Sequence, residues 1–559
     1  MIDFSDLKYK APDPEAVADE LRKIRLRMRM SLSEEGVIKG LQDLDALLRD
    51  LEEMYLICQV NYSKETDNAY WQHQYESFYS WAPMLKISLQ ETLAVLTDHR
   101  DEIEITAVTG SRTFSQAASL LATYSSDIKK ELQELVQCRL RYRRLISQLG
   151  LISQGFLQPN YQLKKSLTHP DQDRRCLVYK RWVLSFNSKR NEMLELYLRI
   201  LSLLRSISEK MGYSRISDYL ERVPGCDCLK TAEQESSLAH SIRRYFLPIQ
   251  YELKRQQSLR LGRESLPPWD QWMPTLAGYP APRPEENNID TLKTCLKALF
   301  DDEASFLLDA LNFSGSTVRA DTYEAMDRVS FHLPASDLPF MAYNFTPDGF
   351  HIFDIFNEIG GLCADTAAFR NRTNLFSWSP DREIREVCSV SVETLSSSYC
   401  KMFYGDSAEA AFDIRITECL QKMMEAAAIT LFEQEAMSLS EPDGRKLAEI
   451  WTSEELRSGL AGSPWDDSAN FLAGYGFLLH PSLFLQPLQH LTRARANIRV
   501  WLFKPFSGKG ARKLGGALSQ LLAGDTATGD QLTRAGFSDP ITDLDLKLAA
   551  FNICDRLQL

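Results

Sequence analysis

Phe356-Asn357-Glu358-Ile359-Gly360-Gly361-Leu362 and, further on, Arg385-Glu386-Val387-Cys388-Ser389-Val390-Ser391-Val392-Glu393 decide the fold of this 559-residue chain. On a helix, residues i and i+4 project from one face. Two histidines so placed can grip one zinc ion, the glutamate after the first activates the metal-bound water, and a later helix supplies a third ligand. The first stretch has the outline of that H-E-x-x-H helix, with Asn357 and Gly361 in the histidine places, and no intact copy occurs in the chain. Glu386 follows Asn357 by 29 residues.

Working outward, Leu338-Pro339-Phe340-Met341-Ala342-Tyr343-Asn344-Phe345 resembles the I-P-F-I-F-x-N-F-N-G-T segment of the thimet oligopeptidase/oligoendopeptidase F family of zinc peptidases. Asn344 precedes Asn357 by thirteen residues, as the family's asparagine precedes its first histidine. The Arg385–Glu393 stretch resembles the family's A-E-I-H-S-M-S-M-E, whose first glutamate is the third zinc ligand. Phe4 to Asp13 looks like the family's opening F-x-D-I-x-Y-x-R-P-D, and Gly524 to Pro540 is similar to its closing loop. The resemblance implies a mainly α protein, an oligoendopeptidase F-like two-lobed helical clamshell with a deep central cleft and one small β-sheet near residues 323–346. It implies an N-terminal helical lobe over 1–190 and a peptidase-like lobe over 191–559, with a degenerate metal core at 344–393.

The departures carry the functional expectation. Asn357 offers a neutral carboxamide, Gly361 offers no side chain, and Glu386 alone cannot hold zinc where three protein ligands are usual. His351 and Cys363 each lie six positions from Asn357, roughly 120° around a helix, and Cys388 faces away from Glu386. No metal ligand and no cofactor are therefore expected. The family's edge-strand glycine pair, which lets a substrate backbone approach, is matched by Asp327 and Arg328. Its C-terminal histidine is matched by His480, but its tyrosines by Pro487, Leu488 and Leu491.

Carboxylates remain. Asp354, Glu358 and Asp365 fall on one helical stripe, and Glu386 and Glu393 share a face of the partner helix. Brought together, they either pair with Arg372, Arg382 or Arg385, or raise one another's pKa and offer a general acid or base, or hold a hard cation such as magnesium or calcium. Glu358 and Glu386 are the candidate catalytic groups. Asn344, Asp354, Asn357, Gly361, Asp365, Glu393 and His480 are the candidate ligand-binding residues. Two functions follow as expectations. One is a pseudopeptidase that binds a peptide, a peptide-like small molecule or a partner protein; the other is a repurposed metal-independent enzyme.

Composition narrows the field. A formal net charge of −12 argues against nucleic-acid binding, and the basic runs Arg139–Arg144 and Arg493–Lys513 read as solvated helix faces. No stretch nears the roughly 20 apolar residues of a membrane span. The start lacks the apolar core of a signal peptide, and eleven scattered cysteines suggest no disulfide framework, which together predict a cytoplasmic protein. Apolar periodicity predicts helices over 14–30, 33–60, 69–97, 113–150, 172–211, 350–370, 381–403 and 407–437, with two strands between 323 and 345.

Overall fold

In the computed structural model the described residues are 7–31, 33–65, 68–98, 102–110, 112–153, 156–159, 166–223, 231–271, 273, 288–300, 328–343, 352–372, 375–376, 379–460, 472, 474–524 and 530–559. Helices dominate: α1 (Pro14–Met30), α2 (Glu34–Lys64), α3 (Ala69–Leu93), α4 (Glu102–Thr109), α5 (Arg112–Thr123) and α6 (Lys129–Ser147) build the N-terminal part. A hairpin, β1 (Gly150–Ser153) with β2 (Phe156–Pro159), leads towards α7 (Gln172–Lys210), α8 (Ala232–Arg260) and α9 (Asn288–Phe300). Next come β3 (Arg328–Leu333), β4 (Leu338–Tyr343), α10 (Ile352–Arg370), α11 (Arg382–Leu395), α12 (Ala408–Ser438) and α13 (Gly444–Arg457). α14 (Thr492–Trp501), α15 (Gly508–Ala523) and α16 (Asp543–Leu557) complete the labelled helices.

Local chemistry sets many boundaries. Asp13 accepts the Glu15 amide ahead of Pro14, and α8 opens on a reciprocal capping box between Thr231 and Gln234. The expected single helix over 113–150 is two. Ser125 accepts the Asp127 amide and restarts the chain towards α6, and the end of that stretch passes into β1. The β1–β2 hairpin has no counterpart among the expected elements. The helix expected over 381–403 stops at Leu395 and continues as short 3₁₀ and α turns.

The apolar side chains gather in separate clusters. The largest joins α8, α10, α11, α12, α14, α15 and α16; a second joins α6 and α7 to the later half of α12 and to α13. A third lies among α1, α2, α3, α4 and α5. Residue 190, the expected lobe boundary, falls inside the continuous α7. The nine described cysteines carry free thiols, and none of the described helices is long and apolar enough to cross a membrane.

Two devices position the centre. The β3–β4 hairpin pairs Phe331 with Phe340 and Leu333 with Leu338, and Glu53 of α2 accepts the amides of Ala335 and Ser336 at its turn, each at 2.8 Å. α10 and α11 touch backbone to backbone: a Cβ on Gly360 would lie 2.5 Å from the Cys388 carbonyl oxygen and 2.7 Å from Ser389 Cα. Only glycine allows that approach, and it brings the two carboxylate stripes face to face.

Candidate functional site

From α10 come Asp354, Asn357, Glu358, Gly361 and Asp365; from α11 come Arg385, Glu386 and Glu393. They meet with cations between them. Arg493, at the start of α14, donates from Nη1 to Asn357 Oδ1 at 3.1 Å and from Nη2 to Glu393 Oε2 at 2.8 Å. The same Nη1 lies 3.7 Å from Glu386 Oε2. Asn357 Nδ2 donates to Glu393 Oε2 at 2.8 Å, so the carboxamide faces a cation with its oxygen and an anion with its nitrogen. Behind them Arg415 of α12 donates to Glu393 Oε1 at 2.7 Å and to Asp354 Oδ1 at 2.8 Å.

The second half of the cluster centres on Arg385. Its Nε donates to Asp365 Oδ1 at 3.0 Å, and its Nη2 to the Ser330 carbonyl at 3.0 Å and hydroxyl at 3.1 Å. Ser330 in turn donates to Glu358 Oε2 at 2.6 Å, tying β3 to α10. This guanidinium fills the space beside Gly361, where a Cβ would come within 2.8 Å of Arg385 Cζ and Nη1. The two places where the resemblance puts histidines are thus one amide bonded to Arg493 and one glycine pressed against Arg385.

Electrostatics follow from this pairing. Burial of Glu393 opposes its ionisation, but Arg415 and Arg493 outweigh it and hold the carboxyl below its ordinary range. Asp365 goes the other way: burial, with Glu358 adding like charge, pushes its pKa up although Arg385 opposes. Glu393 is 5% exposed at its side chain, whereas Glu386, Arg493 and Arg385 keep 22%, 28% and 29%. The cluster is closed behind and open on the side of those three groups.

Of the three arginines expected to pair with the carboxylates, Arg385 does so with Asp365, whereas Arg382 donates to Gln486 and Arg372 lies over the Phe369 ring. The reading of 493–513 as a solvated basic face is corrected for its first turns. Arg495 and Arg499 are buried and paired with Glu383, Glu235 and Asp539, and Arg493 joins the cluster. Charge alone did not reveal this: Thr492, Arg495 and Arg499 form one stripe of α14, and that stripe is buried against acidic partners. Arg139–Arg144 is likewise mixed: Arg143 donates to the hydroxyls of Tyr75 and Tyr79, and Arg139 to the Phe484 carbonyl. His480 does not enter the cluster; its Nδ1 lies 3.1 Å from Glu425 and its ring packs by Trp451. Asn344, His351 and Asp327 lie outside the described residues.

A zinc ion does not fit this donor set. Asn357 is committed on both faces, Gly361 contributes nothing, and a guanidinium touches both Asn357 and Glu386. Among the described residues no three His, Cys, Asp or Glu side chains are grouped to hold a metal ion.

Residues 4–124 match the model of the peptidase M3 N-terminal domain. No curated protein matches the sequence. Among solved structures, one named for oligoendopeptidase F superposes with a TM-score of 0.92 at 17% identity, covering 100% of this chain and 99% of its own. PZ peptidase A with an inhibitor gives 0.88 at 17% identity over 99% of both chains. An oligoendopeptidase F structure from Bacillus anthracis gives 0.83 at 16% identity, covering 100% of this chain and 98% of its own. Residues 4–124 thus match the peptidase M3 N-terminal domain, and the whole chain has the oligoendopeptidase F fold.

Proposed function

We propose that this chain is an oligoendopeptidase F-like pseudopeptidase, without zinc-dependent proteolysis, that binds a peptide or peptide-like ligand in its central cleft. One observation carries the reading: guanidinium groups stand at both positions where histidines would face a metal, Arg493 against Asn357 and Arg385 against Gly361. The Asn357 oxygen already accepts from Arg493, and Gly361 offers no side-chain lone pair, so no pair of ligands is left for zinc. The polar groups on the open side, Glu386, Arg493 and Arg385, suit the amide and charged groups of a peptide.

The test uses the whole chain with a fluorescent peptide library, read by anisotropy for binding and by dequenching for cleavage, with and without added zinc and chelator. Peptides should bind in the micromolar range or tighter, roughly −8 kcal/mol, and stay intact in every condition. Cleavage abolished by chelator and restored by zinc would overturn the proposal.

A second reading, a metal-independent enzyme with Glu358 or Glu386 as general acid or base, draws support from Glu386. Its Oε2 is buried without a hydrogen bond and is 3.7 Å from Arg493. Glu386→Gln separates the two, since loss of turnover of a small substrate with ligand binding intact favours chemistry.

A further inference from the structure

We infer that Arg493 is the resident cation of this site, an internal replacement that performs the charge-balancing work of a metal ion. The inference rests on the zinc-free reading above and goes on to say what takes the ion's place. One guanidinium reaches both residues that align with the first and third metal ligands, at 3.1 Å from Asn357 Oδ1 and 3.7 Å from Glu386 Oε2. A metal at that point would face the same two side chains. Asn357 suits a guanidinium better than an imidazole would, because its oxygen accepts from Arg493 while its amide nitrogen donates to Glu393.

The arginine is also held in place by its own chain. Just before α14, Leu488 adopts a φ of 61°, in the left-handed region that a branched side chain rarely occupies. Its amide donates to Glu433 Oε2 at 2.8 Å, and His490 Nε2 lies 3.0 Å from the same oxygen. The buried Glu433 thus fixes the turn that delivers Arg493. Without Arg493, Glu393 and Asp354 would keep Arg415, whereas Glu386 would lose its neighbouring guanidinium and Asn357 Oδ1 the hydrogen bond from Arg493. Glu386, Glu393 and the Asn357 carboxamide oxygen, the groups Arg493 reaches, are the oxygen donors that manganese or calcium accepts.

The experiment compares the unmodified chain, Arg493→Met and Arg493→Lys by thermal melting in metal-depleted buffer, with chelator, and over a titration of manganese chloride. Bound manganese is counted by elemental analysis after gel filtration. The unmodified chain and Arg493→Lys should melt at a temperature indifferent to chelator and manganese. Arg493→Met should melt lower by about 3–4 °C in chelator, as expected for a buried ion pair broken on one side in a chain of this length. Millimolar manganese should restore most of that loss, with about one ion retained per chain. The inference falls if Arg493→Met melts like the unmodified chain, or if its loss is not recovered by manganese. Should Arg493→Met not fold in chelator, refolding in manganese must recover it, and failure there overturns the inference as well. Metal dependence in Arg493→Lys also overturns it. A chelator-sensitive unmodified chain would instead bring down the zinc-free reading itself.

Discussion

Adjacent glycines on α10 should respond differently to the same one-carbon addition. In Gly360→Ala the new Cβ meets backbone: 2.5 Å to the Cys388 oxygen, 2.7 Å to Ser389 Cα and 2.9 Å to the Cys388 carbon. Ordinary contact between such atoms is about 3.5–4.0 Å, so α10 and α11 must move apart by about 1 Å. Overpacking of this kind costs about 1–3 kcal/mol or more, and the gain in helix propensity returns only about 1 kcal/mol. In Gly361→Ala the Cβ meets only the Arg385 guanidinium, at 2.8 and 2.9 Å. That group can retreat, at the expense of its bonds to Asp365 and Ser330, and the propensity gain offsets much of the roughly 1.5–3 kcal/mol at stake. Hydrogen exchange read by mass spectrometry over peptides from 352–395 is the suitable assay, because it reports the local opening of these two helices. Gly360→Ala should lose about tenfold or more in protection across both helices, whereas Gly361→Ala should lose less and chiefly around Arg385. Equal protection in Gly360→Ala and the unmodified chain, or a larger loss in Gly361→Ala, would refute the close backbone contact.

Three further outcomes follow from individual groups. Burial, opposed by Asp337, holds the His332 imidazole down to about 4, so the folded chain keeps it neutral while the unfolded chain takes up a proton below about 6.5. Stability from this group is therefore full above 6.5 and is lost as pH falls from 6.5 towards 4, by up to about 3 kcal/mol; His332→Phe should flatten that part of a melting-temperature profile against pH. Glu433→Ala removes the acceptor of the Leu488 amide and should cost about 1–3 kcal/mol, with increased exchange at 486–495 as its signature; unchanged exchange there would argue against a role in placing α14. The double variant Asn357→His/Gly361→His should still fail to bind zinc by elemental analysis, because both guanidiniums remain; zinc uptake should appear only when Arg385 and Arg493 are also replaced by neutral residues.

The helix pair at the centre was legible because its signal is local. The spacing of Asp354, Glu358 and Asp365, and of Glu386 and Glu393, follows from helix geometry, whereas the backbone contact at Gly360 emerged only from the structure. The β3–β4 hairpin announced itself through the aromatic run bounded by Pro334 and Pro347. Which cations would enter the cluster was not legible, since Arg415 and Arg493 come from other helices, 22 and 100 residues from Glu393 in the chain. Periodicity reports which face is buried, but not what faces it. Arg495 and Arg499 show the cost of reading charge without its neighbours: their partners Glu235, Glu383 and Asp539 come from distant parts of the chain. The break between α5 and α6 was missed because apolar spacing continues across it, while the decisive Ser125 cap is a single side chain.

Metal stoichiometry is the most direct test of a cleft whose cation is a side chain. The purified full chain is incubated with excess zinc, passed through a desalting column and analysed for bound metal. Retention below about 0.1 zinc per chain is the expected result, because the positions of the first two ligands are an amide and a glycine already in contact with guanidinium groups. Retention of about one zinc per chain, lost together with the site's order when Glu386→Ala is introduced, would contradict it.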